Sequence, residues 1–429
     1  MARASGNIAP GPIKGNGDFR LLMLGNAVSE FGTAMGAITV ILIAFKYSTS
    51  AIITGLIDAV EMLALFLIGV PAGWVADHYS KRIIMKISAC GGLISYGLLA
   101  WLVFAGRFNF VLLFVFILCV STASCLYRAC GRAALRSIVQ SEDIGVATSI
   151  VQARAAICSV LGPPIGGLLF ATFDWLPLAI NSITFLAPIL AILLIRRSLA
   201  DNTCKRTDAT FKSSMLIGMA FIAHHRVLRS LTAIGAIASF ASAGYVITLV
   251  ISMQQRHFSA TLTGAVQSAC AIGLILGALF SQAVAARISL RKTAVLALSL
   301  AAFGFATAAL AETALIILPA LAAGCILVVP LLSAIATYET MTVPITIQGR
   351  VTTADEVLTD GLNPLAPLIG TILLTTAGHI LALLVFAGLL AAAAVFSYLA
   401  RGLRILEAQS EFTVHANIGN NEIEARPNA

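Results

Sequence analysis

Apolar runs of about twenty residues or more follow one another along almost the whole chain, each closed by a short polar connection. They cover roughly 19–45, 51–76, 82–105, 108–130, 145–173 and 175–195, and then 217–252, 259–286, 292–311, 313–337, 349–377 and 379–401. About 20 apolar residues suffice for a helix to cross the hydrocarbon of a bilayer, so the pattern predicts twelve transmembrane helices. The longer runs exceed one crossing and are expected to tilt or to extend beyond the bilayer. Strict alternation over segments of about 10 residues, the mark of a transmembrane barrel, does not occur in them. One connection is longer and more polar than the others, "RRSLADNTCKRTDATFKSSM" from Arg196 to Met215, and it divides the spans six and six.

Composition supports a bilayer as the solvent. The chain is 59% hydrophobic and 11% charged, against about 25% charged in soluble domains. Its net charge of +8 gains meaning from placement, because Lys and Arg collect on the cytoplasmic side of membrane proteins. An even number of spans puts both termini on one side. Lys46, Arg107 and Arg256 lie in connections on the opposite side, Arg154 lies within a span, and the rest of the 27 basic residues fall on the side of the termini. Both termini are therefore expected in the cytoplasm, in a multi-pass protein of the inner or plasma membrane, and the basic balance needs no nucleic acid to explain it. The expected organisation is a disordered cytoplasmic tail over 1–18, an N-terminal six-helix bundle over 19–195, a cytoplasmic linker over 196–216, a C-terminal six-helix bundle over 217–403, and a cytoplasmic tail over 404–429. The opening "MARASGNIAPGPIKGNGD" has no apolar core and is not a signal peptide.

Other chemistries find little support. The eight cysteines are scattered without zinc-site spacing, so small buried thiols are expected and no metal or cofactor. There is no nucleotide-binding P-loop, no H-E-x-x-H and no G-x-S-x-G, which argues against an enzyme. A sensor would need a folded soluble module, and the tails and central connection are too short to hold one.

The two halves resemble each other. "LGPPIGGLLFAT" (161–172) aligns without gaps to "LAPLIGTILLTT" (365–376), and the same displacement carries Gly69 and Gly73 onto Gly273 and Gly277. A match at one displacement in the second and fifth spans of each half points to duplication.

Three motifs then carry a family resemblance. In "GWVADHYSKR", Gly73, Asp77, Lys81 and Arg82 match the loop between the second and third helices of the major facilitator superfamily, G-x-x-x-D-R-x-G-R-R, with His78 and Ser80 as departures. "GPPIGG", with Gly162, Pro163, Gly166 and Gly167, matches the fifth-helix G-P-x-x-G-G of drug and metabolite antiporters. "VPITIQGRV" (343–351) resembles the V-P-x-x-x-x-G-R-V of the branch with macrolide-efflux and siderophore-export members. The resemblance covers nearly the whole chain between the tails. It implies two pseudo-symmetric six-helix bundles, the major facilitator fold, with a small-molecule substrate bound between them near the midplane and transport by rocking.

Against that background a few residues stand out. Charge inside a bilayer is costly, so intramembrane acids are functional candidates by default. Glu30 lies midway along the first span, and Asp58 and Glu61 share one face of the second, three residues apart. Burial favours the protonated carboxyl, as a proton carrier requires. The related branch often carries S-x-x-G-D in its first helix; here "SEFGT" has Thr33 in place of the acid and Glu30 one turn earlier. Arg128, Arg132 and Arg136 form a stripe along the fourth span. Arg132 and Arg136 are expected to snorkel to lipid headgroups at the inner interface, while Arg128 lies deep enough to meet Glu30 or Glu61. Arg154, in the fifth span, needs a carboxylate or an anionic substrate as partner. Asp77, Lys81 and Arg82, with Gly73 permitting close packing, are expected to latch the cytoplasmic ends of the bundles against Asp355 and Glu356 at the start of the eleventh span; the plainer alternative is positive-inside anchoring with one surface ion pair. Pro163 and Pro164 remove backbone donors and are expected to bend the fifth span, while its glycines allow close approach.

The expected function is secondary active export of small amphipathic molecules, drug or siderophore-like, by proton antiport and alternating access. Proton-coupled or facilitative import of a small metabolite is the alternative. Protons, lipid and the cargo are the expected partners of a monomer.

Overall fold

The computed structural model describes residues 16–140, 143–195, 211–344, 347–400 and 403. The expected tail 404–429, nearly all of the tail 1–18 and most of the linker 196–216 lie outside these residues. The described chain is helical: α1 (Gly17–Ser48), α2 (Ala51–His78), α3 (Lys81–Phe104), α4 (Phe110–Ile138), α5 (Ile144–Thr172), α6 (Leu176–Thr184), α7 (Leu186–Leu194), α8 (Phe211–His224), α9 (Arg226–Gln255), α10 (Ala260–Arg287), α11 (Leu290–Leu310), α12 (Ala314–Cys325), α13 (Val328–Thr342), α14 (Gln348–Asp360), α15 (Ala366–Ala377) and α16 (His379–Leu399). Twelve segments among the described residues are long and apolar enough to cross a bilayer. The protein is an all-α, multi-pass membrane protein.

The helices start where the sequence offers caps. Asn16, Ser50 and Asn109 each accept a backbone amide of the first turn, from Phe19, Ile53 and Val111, satisfying donors that a helix start leaves open. Prolines set the internal breaks. A proline withholds the amide that would bond the carbonyl four residues earlier. Pro188 does this to Thr184, where α6 gives way to α7; Pro330 does it to Ile326, between α12 and α13; Pro364 and Pro367 flank the turn that separates α14 from α15, with a short 3-10 turn over Asn363–Leu365. The expected sixth, tenth and eleventh spans are thus each a pair of helices. Pro163 and Pro164 behave differently, because α5 runs unbroken through both. The seventh span starts later than its apolar run suggests: α8 is a separate helix, and the crossing is α9.

The described chain forms two compact units. The first holds α1–α7 with Val246–Ala271 and Pro364–His379; the second holds the described residues within Asp208–Tyr245, Ile272–Asn363 and Ile380–Ala429. The first unit therefore adds to the six leading spans the end of α9, the start of α10 and all of α15.

In the first unit, α1 packs on α5, α6 and α7, and α3 and α2 pack on α4. One apolar cluster near the chain start joins Leu22, Met85, Ile138 and Ile192. Another, at the far end, joins Ile43, Leu99, Leu113 and Leu178 around Tyr96, whose ring meets Phe116 edge-on and stacks on Phe185. In the second unit, Gly273 and Gly277 of α10 admit the backbone carbonyls of Ala322 and Ile326. Buried Tyr245 stacks on Phe305 with centroids 4.2 Å apart and donates to its carbonyl at 2.6 Å.

Candidate functional site

The first unit holds an open cavity of about 630 Å³ among α1, α2, α3, α4 and α5, within the range of small-molecule sites. Leu22, Leu65, Val120 and Phe185 supply apolar wall, and Glu30, Glu61, Arg128, Arg132 and Arg154 supply charge. Glu30, from α1, and Arg154, from α5, form an ion pair: Arg154 Nε donates to Glu30 Oε2 at 2.7 Å, with the side chains 37% and 16% exposed respectively. Arg154 Nη1 also approaches the sulfur of Met23 at 3.6 Å. The helices bring these two together because α1 and α5 pack along their length, with Gly162 and Gly166 of α5 against Ala34 and Met35 of α1. A charge here is tolerable because its opposite is in contact with it.

The pairing differs from one sequence expectation. Glu30 goes to Arg154, and Arg128 does not take it. Arg128 and Arg132 both line the cavity, so Arg132 faces its interior where a headgroup anchor was expected; the side chain of Arg136 lies outside the described residues. Glu61 lines the cavity, whereas Asp58, one turn away on α2, does not, and its Oδ2 is buried without a hydrogen-bond partner.

The expected cytoplasmic latch divides. Gly73 lines the cavity, and a Cβ there would meet no atom within 4 Å among the described residues, as at Gly69, while their counterparts Gly273 and Gly277 are tightly packed. Lys81 is buried. The Arg82 guanidinium donates to the carbonyls of Ile192, Leu193 and Ile195 at 2.9, 3.1 and 2.9 Å, capping the end of α7. The side chain of Asp77 lies outside the described residues. In the second unit, Asp355 accepts a short hydrogen bond from Thr232 of α9, and Glu356 is exposed.

Gly162, Pro163, Gly166 and Gly167 of the fifth-helix motif are buried, and each glycine has its own neighbour. Gly162 and Gly166 face α1, and a Cβ on Gly167 would collide with the carbonyl of Ala260 at the start of α10. Gly264 of α10 in turn lies against the Pro163 carbonyl, and Ser268 Oγ donates to the Val160 carbonyl at 2.6 Å. On α2, Gly55 lies against Pro367 and Thr371 of α15. These contacts join the end of the first unit remote from the chain termini.

Some site residues escaped the sequence reading. Tyr127 donates to Asn26 across α4 and α1, and Ser88, Ser121 and Ser124 line the cavity. A signal existed for part of this set: Ser121, Cys125, Arg128 and Arg132 recur at helical spacing on α4. In the second unit, Ser239 donates to Asp360 at 2.7 Å, and Asn363 donates to both, at 2.8 and 3.1 Å.

Comparison with known proteins agrees with this architecture. Solved structures with the same fold include a nucleoside transporter (14% identity, TM-score 0.72, covering 90% of this chain and 99% of that one). They also include a bacterial homologue of the iron transporter ferroportin in an inward-facing state (13% identity, TM-score 0.69, covering 89% and 98%). A third is a bacterial homologue of the human lysosomal transporter Spinster, inward-facing and occupied (15% identity, TM-score 0.67, covering 89% and 96%). No curated protein matches the chain. The model of the family described as transmembrane secretion effector matches residues 9–425. With twelve spanning segments, a charged cavity within its helices and a family model matching nearly its full length, the chain is a transporter that belongs to the transmembrane secretion effector family of the major facilitator superfamily.

Proposed function

We propose that this transporter exports small amphipathic molecules, drug or siderophore-like, from the cytoplasm by proton antiport, with the Glu30–Arg154 pair as its coupling element. The carrying observation is that pair itself, a carboxylate and a guanidinium 2.7 Å apart on the wall of a cavity that also holds Glu61 and Arg128. With the pair intact, the cavity keeps the shape that loads cargo. A proton arriving on Glu30 removes the carboxylate charge, releases Arg154 and dismantles that shape, so that proton and cargo exclude each other, as antiport requires. Asp58 and Glu61 extend the acid series along α2. The family description supports outward transport.

The remaining parts of the reading follow the chain's charge and repeat. Two six-helix bundles, 19–195 and 217–403, joined by the linker 196–216, rock about the cavity in the cytoplasmic membrane, with both termini inside. Asp77, Lys81 and Arg82 with Asp355 and Glu356 act as the cytoplasmic gate in the state where that side closes. The protein works as a monomer. One proton moved with one net charge yields about 2.3 kcal/mol per 100 mV, and a pH unit adds about 1.4 kcal/mol. Together these sustain roughly a few-hundredfold cargo gradient, enough for export.

The test is proton release in proteoliposomes holding a pH gradient and a panel of fluorescent amphiphiles. Wild type is expected to couple cargo movement to proton movement, and Glu30→Gln to lose coupling while still binding cargo. Retained coupling in Glu30→Gln moves the role to Asp58 or Glu61.

A further inference from the structure

Arg128 and Arg132 stand one turn apart on α4 and both line the cavity, yet neither has a hydrogen bond or an acidic partner among the described residues. Of the two acids on the cavity wall, Glu30 is held by Arg154, and Glu61 forms no ion pair with either exposed guanidinium. Two cations this close repel each other, and an anion bridging them relieves that repulsion with charge-assisted bonds. On α3, one turn before Gly91, whose Cβ would meet Ala123 of α4, Ser88 is 4% exposed and its Oγ has no hydrogen-bond partner. Ser121, 3% exposed, lies beside the cavity on the Arg128 face of α4. A buried hydroxyl without a partner is costly, and an acceptor supplied by a ligand removes that cost.

We infer that the cavity binds an organic anion with an apolar body, its acidic group between Arg128 and Arg132, Ser88 beside that group, and a neutral acceptor group at its other end on Ser121. The helical rise of about 1.5 Å per residue places Ser121 about 10 Å from Arg128 along α4, which sets the length of the ligand. Leu65, whose carbonyl lies against Cys125 of α4, lines the part between. The inference rests on the transport reading of the cavity and names its substrate class. The same chemistry, an acidic group on an apolar body, belongs to anionic lipids, and the experiment separates the two sources.

The test uses the full chain in nanodiscs of neutral phosphatidylcholine and three dansyl-aminooctyl probes that differ only in their end group: carboxylate, carboxamide or trimethylammonium. The dansyl sulfonyl supplies the distant acceptor. By fluorescence titration the carboxylate probe is expected to bind about tenfold or more tighter than the amide, with the ammonium weakest. Arg128→Gln with Arg132→Gln is expected to erase the preference, the corresponding pair of lysine substitutions to keep part of it, and Arg107→Gln, remote from the cavity, to leave it unchanged. Ser121→Ala is expected to weaken all three probes alike. Equal or tighter binding of the ammonium probe overturns the inference, as does a full carboxylate preference in the double glutamine variant that remains monodisperse. Displacement of the carboxylate probe, but not the amide, in discs containing phosphatidylglycerol overturns a cargo site and assigns the arginines to lipid. Efflux assays with the same probes keep the two proposals apart. Carboxylate preference without efflux sinks the exporter and leaves the site standing, while efflux of the ammonium probe alone sinks the site and leaves the exporter.

Discussion

Ser268 of α10 donates its hydroxyl at 2.6 Å to the backbone carbonyl of Val160 on α5, the carbonyl that Pro164 deprives of its helical amide. The proline of the fifth-helix motif thus creates an acceptor inside an unbroken helix, and a neighbouring helix fills it. Gly264, one turn before Ser268, lies against the carbonyl of Pro163, and Gly167 admits the Ala260 carbonyl. Small residues and one hydrogen bond hold the two helices together here, the usual basis of helix association in lipid. Such a contact can part and re-form as a unit, because only one polar bond must be replaced.

Removing that hydroxyl is expected to loosen this contact first. Ser268→Ala leaves the Val160 carbonyl unpaired in an apolar setting, at a cost of about 1–2 kcal/mol. In a chain whose cysteines are otherwise replaced, a cysteine at Ala271, on the same face of α10, is expected to react with a membrane-impermeant maleimide about tenfold faster in the Ser268→Ala background. Ser268→Thr, which keeps the donor, is expected to label as wild type does. Equal rates in all three would show that the bond does not hold the helices together.

The spans, their number and the motif positions were legible in the sequence because long apolar runs obey a single length rule, set by the bilayer. The breaks at Phe185 and Gly361 were harder to read, since Pro188, Pro364 and Pro367 interrupt a helix while Pro163, Pro164 and Pro71 do not. At Pro164 a neighbouring helix supplies the missing donor, through Ser268 at the Val160 carbonyl. The acids were found by rarity alone, but their partners were not. Glu30 had Arg128 and Arg154 as candidates on different helices, and only the packing of α1 on α5 selects Arg154. Gly73 matched a motif and lies against open cavity, because a motif records residue type and not the neighbour it meets.

Arg82 offers a way to separate capping from gating. Its guanidinium reaches three carbonyls at the end of α7, so Arg82→Ala is expected to cost about 1.5–3 kcal/mol of stability, read as a lower thermal unfolding midpoint. Arg82→Lys is expected to recover only part of it, because the lysine side chain is shorter and its ammonium more strongly hydrated than the guanidinium whose Nη2 reaches all three carbonyls. A residue that served only the gate would lower transport with no change in the midpoint.

The Glu30–Arg154 pair is expected to behave as a unit in stability as well as in coupling. Glu30→Gln and Arg154→Gln each leave one charge uncompensated beside the cavity, and the double variant leaves none. Their coupling in a double-mutant cycle is expected to be about 1–2 kcal/mol, reduced from that of a deeply buried pair because the Glu30 side chain is 37% exposed and solvent screens it. Strict additivity of the two single effects, measured by thermal unfolding in detergent, would mean that the contact carries no energy.

Orientation provides the last expected outcome. Ser80 lies in the connection between α2 and α3, and Ser259 between α9 and α10. An odd number of crossings, five of the twelve spans, separates them, so the two serines belong on opposite faces of the membrane. The basic residues crowd the face of Ser80, and positive charge stays on the cytoplasmic side during insertion. A cysteine at Ser259 in intact cells is therefore expected to react with a membrane-impermeant maleimide, while one at Ser80 reacts only after the membrane is permeabilised. The Lys46–Asp174 pair, closed at 2.7 Å between the end of α1 and the start of the sixth span, lies on the Ser259 face, so Asp174→Cys is expected to label with Ser259→Cys. Labelling of Ser80→Cys in intact cells would invert the topology.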